Sequence, residues 1–329
     1  MNLGRIAGLF GAAAVAMTAT ACDSGKRAEP AAGEIVFSIL SAQGQASAAP
    51  LWQPLLEDMA EAVGAPVRPY FASTYDDLVE AMSEGRIHAG WFSAQPAARA
   101  VDTAGAEVLV RTIGEDGADS YRATLIVRSG SGITLKDVMA CGRRYDFGAG
   151  DPRSTSGTLA PQTFLFRPRG IDPETCFRAI RPANHEANAF AVASGTLDVA
   201  TSNTVSTETL RRQNPAVADQ IQVIWRSPAL PESGILVRGD LDPAVKEKIR
   251  SFFLTYGQGE GAQAERQRRV LASLGYSRFS AADEDYLDPV REMMADQALS
   301  AARAKGDAAA VDAAQRDVQR LRAKREVRP

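Results

Sequence analysis

Histidine and cysteine are scarce in this chain, with two of the first and three of the second in 329 residues. A zinc or other transition-metal site needs several such ligands at close spacing, so the sequence argues against one, and no paired metal-ligand motif is present. There is also no GxxxxGK[ST] phosphate loop and no GxSxG nucleophile turn, which sets aside P-loop enzymes and hydrolases of the elbow type. Charge of one sign is lacking too: 37 Lys and Arg stand against 40 Asp and Glu. Such a surface has no basic footprint for nucleic acid. An anion site here must be built locally from a few oriented groups, because the molecule as a whole does not attract anions. Beyond residue 22 no apolar run approaches the roughly 20 residues that span a bilayer.

What is present begins at the N-terminus. Arg5 precedes an uncharged run that ends in Ala19-Thr20-Ala21-Cys22. Residues 1–21 read as a secretory signal peptide and the last four as a lipobox, with Ala19 where leucine is usual. Cleavage before Cys22 and lipidation of its thiol would anchor the protein to the membrane on the periplasmic side. The other reading is an ordinary signal peptide with an unmodified Cys22. Residues 22–33, small, polar and Pro-containing, read as a flexible tether. In an oxidising compartment the two remaining cysteines, Cys141 and Cys176, become candidates for a disulfide. Each precedes a predicted strand, at 145–147 and 177–180, and parallel neighbours would put both at one end of a sheet. Two buried free thiols are the alternative.

The body of the chain alternates strand and helix. Strands are predicted at 34–40, 67–71, 87–92, 107–112 and 121–128, then at 145–149, 177–180, 197–202, 221–226 and 235–238. Helical periodicity fills most of the intervals, for example at 49–63, 75–82, 96–103, 156–166 and 186–193. This pattern calls for parallel sheets with helices on both faces, and there are enough strands for two α/β lobes. From 243 onward the chain reads as helical at 243–256, at 262–274 and from 282. The last stretch, 282–329, is rich in Ala, Arg, Asp, Glu and Gln and is predicted to form two helices broken near Gly306. It could be a packing hairpin, a homodimer contact or a solvated tail.

Three strand-to-helix junctions carry chemistry. The first is Gly148-Ala149-Gly150-Asp151-Pro152-Arg153-Ser154-Thr155-Ser156-Gly157-Thr158. Its small residues let backbone approach a ligand closely. Ser154, Thr155 and Ser156 add hydroxyl donors beside the free amides of a helix N-terminus, a combination that binds anions. A single cap would need only one of these hydroxyls. The second is Asn184-His185-Glu186-Ala187-Asn188, which sets His185 at a helix start on the same sheet edge, where ligands of open α/β sheets bind. The third is Ser73-Thr74-Tyr75-Asp76-Asp77, which opens a helix of the first lobe with a phenol.

Gly150-Asp151-Pro152-x-Ser154-Thr155-Ser156-Gly157, then His185-Glu186-x-Asn188-Ala189, then Asp198-Val199-Ala200-Thr201-x-Asn203-Thr204 resembles the phosphonate-binding proteins of phosphonate ABC transporters. Val223-Ile224-Trp225-x-Ser227-Pro228 and Phe252-Phe253-x-x-Tyr256-Gly257 extend the likeness. The resemblance implies a type II periplasmic binding-protein fold, α/β throughout, with a hinge and an interlobe cleft. The crossings would be 119–121 and 231–234, the first lobe 34–120 with 235–281, the second 121–234, and the C-terminal extension 282–329. It implies Tyr75, Tyr121, Ser154, Thr155 and His185 as ligand contacts, with Ser156 beside them. Neither cofactor nor metal is implied, and the partner is the transporter's permease.

One departure concerns the ligand's organic end. Binders of aminoalkylphosphonates carry an acid in the second crossing, against the ligand's ammonium. Here Pro231-Glu232-Ser233-Gly234 puts Ser233 at that place and Glu232 one residue earlier. The run Trp91-Phe92-Ser93-Ala94 also replaces a more polar one. An altered ligand preference is expected, with 2-aminoethylphosphonate either bound more weakly or held through Glu232. Two other functions fit the same scaffold: a sensor subunit reporting to a membrane receptor, and a phosphoester or phosphonate hydrolase. The hydrolase would need a metal cluster or activated nucleophile, which the sequence does not offer.

Overall fold

The computed structural model describes residues 33–39 and 44–326. The predicted signal peptide, Cys22 and nearly all of the predicted tether lie outside the described residues. In chain order the strands are β1 (Ile35–Ile39), β2 (Val67–Phe71), β3 (Ala89–Phe92), β4 (Ala106–Gly114), β5 (Ser120–Tyr121), β6 (Ala123–Arg128) and β7 (Asp146–Ala149). They continue with β8 (Ala179–Pro182), β9 (Val199–Asn203), β10 (Ile221–Arg226), β11 (Leu230–Pro231), β12 (Gly234–Arg238) and β13 (Tyr276–Ala281). The first sheet has the order β13-β4-β12-β3-β1-β2 and the second β10-β6-β9-β7-β8. Between them β5 and β11 pair as a two-stranded ribbon, Tyr121 opposite Leu230 and Ser120 opposite Pro231. The Glu232 amide also donates to the Asp119 carbonyl. The two crossing segments therefore run side by side.

Both sheets are mixed, where the alternation led us to expect parallel ones. β1, β2 and β3 are parallel, as are β7, β8 and β9. β12 runs antiparallel to β3 and β4, and β6 antiparallel to β9 and β10. The reason is topological. A strand that follows a crossing enters its sheet from the hinge, where the other strands end, and so must run the opposite way. A further strand, β13, adds an edge to the first sheet where the sequence reading ended the β content at 238. Its burial alternates poorly, with only Tyr276 and Phe279 fully covered, so periodicity did not reveal it.

Helices α1 (Gln45–Val63), α2 (Tyr75–Ser83) and α3 (Ala94–Ala104) follow the first three strands. The second sheet is dressed by α4 (Leu135–Met139), α5 (Pro173–Cys176), α6 (His185–Ser194), α7 (Thr204–Gln213) and α8 (Pro215–Ala218). Each sheet has its own core. Phe37 packs with Trp52 and Phe253 in the first, and Phe147 stacks on Phe177 at 4.3 Å in the second. A further cluster crosses between them, joining Tyr75, Tyr121, Leu159 and Ala160. α9 (Pro243–Thr255) and α10 (Ala262–Leu274) return to the first sheet. α11 (Asp288–Lys305) and α12 (Ala308–Glu326) form a hairpin that breaks at Gly306. Its small core of Leu299, Ala314 and Val318 is flanked by Lys324 with Asp285 and Asp288, and by Arg322 with Glu292. α11 packs on α3 and on the crossing strand β11.

Cys141 and Cys176 are joined by a disulfide, Cα atoms 4.5 Å apart across a sequence separation of 35. A loop of that length takes chain entropy from the unfolded state worth about 3–4 kcal/mol. The double substitution Cys141→Ser with Cys176→Ser is expected to lower stability by about that amount in urea unfolding. Equal midpoints for the oxidised and the substituted protein would overturn this.

Candidate functional site

The hydroxyl loop after β7 is shaped by two glycines in contact. The Gly150 amide donates to the Gly157 carbonyl at 3.1 Å, and a Cβ on Gly150 would stand 2.5 Å from the Gly157 Cα. The sequence reading gave these small residues to ligand approach; here they let two stretches of backbone approach each other. The chain then turns through Thr155–Leu159 with wide π-helical geometry, continued at Gln162–Phe166, where an ordinary helix was expected. Such turns are frequent at functional sites. Ser154 caps the turn, its Oγ accepting the Gly157 amide at 2.9 Å. The Thr155 Oγ1 accepts the Gln95 amide of α3 at 2.8 Å, across from the first sheet.

His185 is the first residue of α6, behind an Asn184 cap that accepts the Ala187 amide at 2.8 Å. Its Nδ1 faces the Thr201 carbonyl at 3.4 Å, which assigns the proton to that nitrogen. Nε2 then accepts the Ser156 hydroxyl at 3.0 Å, and the Ser156 oxygen accepts from Asn203 Nδ2 at 3.2 Å. Burial pushes the imidazole down to about 4, so it is neutral at ordinary pH. Tyr75 opens α2, whose cap Thr74 accepts the Asp77 amide. Tyr121 stands on the hinge strand β5. Desolvation raises both phenols above their ordinary value, which leaves them as neutral donors, with Ser154 beside the first and Ser156 and Thr155 beside the second.

These groups surround a cavity of about 60 Å³. One water needs roughly 10–15 Å³ on the same measure, so the space takes a handful of heavy atoms. Tyr75, Tyr121, Ser156, His185, Glu232 and Ser233 line it, while Ser154 and Thr155 are buried behind the wall. Glu232 and Ser233 sit in the second crossing. Glu232 is 3% exposed and accepts from the Thr112 hydroxyl at 3.2 Å and the Ser233 amide at 3.3 Å. Burial pushes its carboxyl up to about 7, with Asp116 and Asp119 adding to the shift. The remaining wall has an apolar and aromatic part, Leu51, Trp52, Trp91, Val205, Leu274 and Tyr276, and a polar part, Ser93, Asn203, Ser206, Thr209 and Ser273. The Trp91 Nε1 and Ser93 Oγ lie beside the phenols of Tyr276 and Tyr75, yet neither has a hydrogen bond of good geometry.

Sequence reasoning missed Tyr276, Trp52 and Leu51. No motif marks them, because they reach the cavity from β13 and α1, far from the strand-to-helix junctions. Asn203 stood in the quoted pattern without a role. Its position at the end of β9, next to His185 on the sheet edge, was the available signal.

Two α/β lobes, two adjacent crossings and a donor-lined cleft between them define the type II periplasmic-binding fold, the class of solute receptors that serve ABC transporters. The chain belongs to the family of periplasmic substrate-binding proteins of phosphonate ABC transporters, whose family model matches residues 37–287. It is 35% identical over 258 residues to the phosphonates-binding periplasmic protein of Escherichia coli, covering 78% of this chain and 75% of that one. The phosphate-import protein PhnD of Mycolicibacterium smegmatis is 26% identical over 262 residues, 74% of this chain and 79% of the other. Among solved structures, the binding-protein component of an ABC phosphonate transporter from Pseudomonas aeruginosa superposes with a TM-score of 0.83 at 34% identity, over 89% of this chain and 99% of that one.

Proposed function

We propose that the cleft captures an organophosphonate and that residues 34–120 with 235–281 close over it against residues 121–234 before delivery to the permease. The phosphonyl oxygens are held by Tyr75, Tyr121, Ser156 and His185 together with helix amides, with Ser154 and Thr155 fixing the loop from behind, and no metal or arginine takes part. The observation that carries this reading is the convergence of neutral donors from α2, the hydroxyl loop and α6 on one small cavity. Hydrogen bonds to a charged group are worth about 1.5–3 kcal/mol each, so a few of them bind an oxyanion tightly without a fixed cation. An oxyanion beside Ser156 and His185 favours the imidazolium, and Nε2–H then becomes a donor as well.

The carbon-bearing end of the ligand lies against Trp52, Trp91, Leu274 and Tyr276, with Glu232 as the counter-charge of an amine. Inorganic phosphate, which the mycobacterial relative is named for importing, has no carbon to place against this wall. Calorimetry with methylphosphonate, 2-aminoethylphosphonate, phosphite and phosphate tests the reading. At least one organophosphonate is expected to bind about tenfold more tightly than phosphate, by the burial of one or two methylenes. Tighter binding of phosphate than of both organophosphonates would sink it. Lipidated Cys22 completes the proposal: the receptor stays on the membrane beside its permease, and it is expected to incorporate labelled fatty acid that Cys22→Ser does not, whereas no labelling of the parent would overturn the anchor.

A further inference from the structure

Two helices of the first lobe reach the cleft without caps of their own. At α1 the N-cap is Gly44, and at α3 the N-cap Ser93 makes no side-chain cap bond; neither helix has an acid in its first turn. Helices α2 and α9 of the same lobe cap themselves, through Thr74 and Asp242. The first amides of a helix have no partner within it, and a side-chain oxygen normally supplies one. For α1 and α3 that oxygen comes from the other lobe.

Glu186, the second residue of α6, reaches across the cleft. Its Oε2 accepts the Gly44 amide at 2.8 Å and its Oε1 accepts the Ser47 hydroxyl at 2.9 Å. Gly44 is the N-cap and Ser47 the third residue of the helix. The carboxylate thus stands where the acid of a capping box stands, supplied from 142 residues away in sequence. Thr155 serves α3 in the same manner through the Gln95 amide at 2.8 Å. Glu186 is half-buried and does not line the site cavity.

We infer that Glu186 is an interlobe latch, a positioning residue that holds the lobes shut by completing the N-terminal cap of α1 in trans. The carboxylate lies at the starts of two helices, α1 and α6, and both positive ends favour it. When the lobes part, the Gly44 amide and the Ser47 hydroxyl return to water, so the bonds favour the closed state alone. Such an interaction raises the closed fraction and slows ligand release, with little effect on the encounter that precedes closure. Glu186 follows His185 directly, so one turn of α6 presents both the contact at the cavity and the latch beside it.

The inference rests on the reading that the ligand binds between these lobes. Stopped-flow fluorescence tests it, since Trp52 and Trp91 line the cavity, with methylphosphonate and 2-aminoethylphosphonate as probes. Glu186→Ala is expected to raise the dissociation rate about five- to thirtyfold and to leave the association rate within about twofold. Ser47→Ala should raise it about two- to fivefold, and the double variant should be no faster than Glu186→Ala, because both lose the same contact. Dissociation at the parent's rate in Glu186→Ala, or additive effects in the double variant, would overturn the latch. Amide exchange at Gly44 separates the two readings. If neither probe binds the parent, the ligand reading has failed, whereas the latch still requires Gly44 to exchange faster in Glu186→Ala. Equal exchange in both proteins overturns the latch by itself.

Discussion

Alanine in place of Gly157 is expected to weaken binding of the preferred phosphonate at least about a hundredfold. The cause is space, since Gly157 does not have a positive φ. A Cβ there would stand 2.7 Å from the Gly150 Cα and 2.9 Å from the Ser154 Oγ. The first contact is with backbone, which cannot rotate away, and the second is with the side chain that caps the turn. Overpacking of this kind costs about 1–3 kcal/mol, and the chain relieves it by moving.

What moves is the hydroxyl loop. Ser154, Thr155 and Ser156 hang on the turn that the two glycines pin together, and displacement by even an ångström breaks hydrogen bonds that require 2.7–3.2 Å. Loss of two bonds to a charged group, at about 1.5–3 kcal/mol each, accounts for the hundredfold. Calorimetry gives the affinity, and circular dichroism with urea unfolding shows whether the fold persists. Ser154→Ala, which removes the cap and one hydroxyl but adds no bulk, is expected to cost only about tenfold. Gly157→Ala binding within tenfold of the parent would show that the loop yields without losing its donors.

How much of this was legible beforehand depended on whether the cause was local. The hydroxyl loop, His185 and Tyr75 each open a helix after a strand, and that junction is written in consecutive residues. Tyr276 is not: it enters the wall from an edge strand whose burial alternates poorly. The start of α1 was placed at 49, although the helix begins at Gln45. A helix start is recognised by its capping side chain, and Gly44 has none, because the oxygen that caps it belongs to Glu186. The reversal of β6 and β12 escaped for a similar reason. Strand direction follows from where the chain crosses between lobes, and periodicity carries no direction. The sequence puts Glu232 one residue before the place expected for an acid of the second crossing, and whether it faces the cavity depends on how β11 and β12 turn, which three residues cannot decide. In the structure Glu232 and Ser233 both line the cavity.

Glu232 should make the choice between ligands depend on pH. The acid is buried and accepts two hydrogen bonds, and no cation among the described residues pairs with it. Its carboxyl, pushed up to about 7, is protonated in the ligand-free protein below neutrality. An amine-bearing phosphonate needs the ionised form, so binding below pH 7 must release that proton, and affinity falls about tenfold for each unit of pH. Ethylphosphonate, with the same chain length but no amine, carries no such demand. The ratio of the two affinities, each corrected for the separately measured titration of that ligand's phosphonyl group, isolates the carboxyl. That ratio is expected to rise about tenfold per unit from pH 5.5 to 7 and to level off above it. In the ligand-free protein the nearby phenols and the imidazole do not titrate in this window. Tyr121, Tyr276 and Tyr286 are raised by burial, and the His185 transition lies near 4. Asp116 and Asp119 add to the Glu232 shift, and Arg111, which also faces this region, pairs with Asp119.

The same carboxyl acts on stability with a definite sign. Between its ordinary value of 4.5 and about 7 the folded protein keeps a proton that the unfolded chain has lost, so the ligand-free protein becomes less stable as pH rises through that range. Glu232→Gln removes both effects together. In that variant the affinity ratio should be flat with pH, 2-aminoethylphosphonate should bind about ten- to a hundredfold more weakly at pH 8, and ethylphosphonate should be little changed. Ligand-free stability should also lose its fall between pH 4.5 and 7. Calorimetry across pH on both proteins gives the first set and urea unfolding the second. A ratio that is flat in the parent, or one that rises equally in Glu232→Gln, would remove Glu232 from recognition of the amine and leave the aromatic wall to set the preference for the organic end.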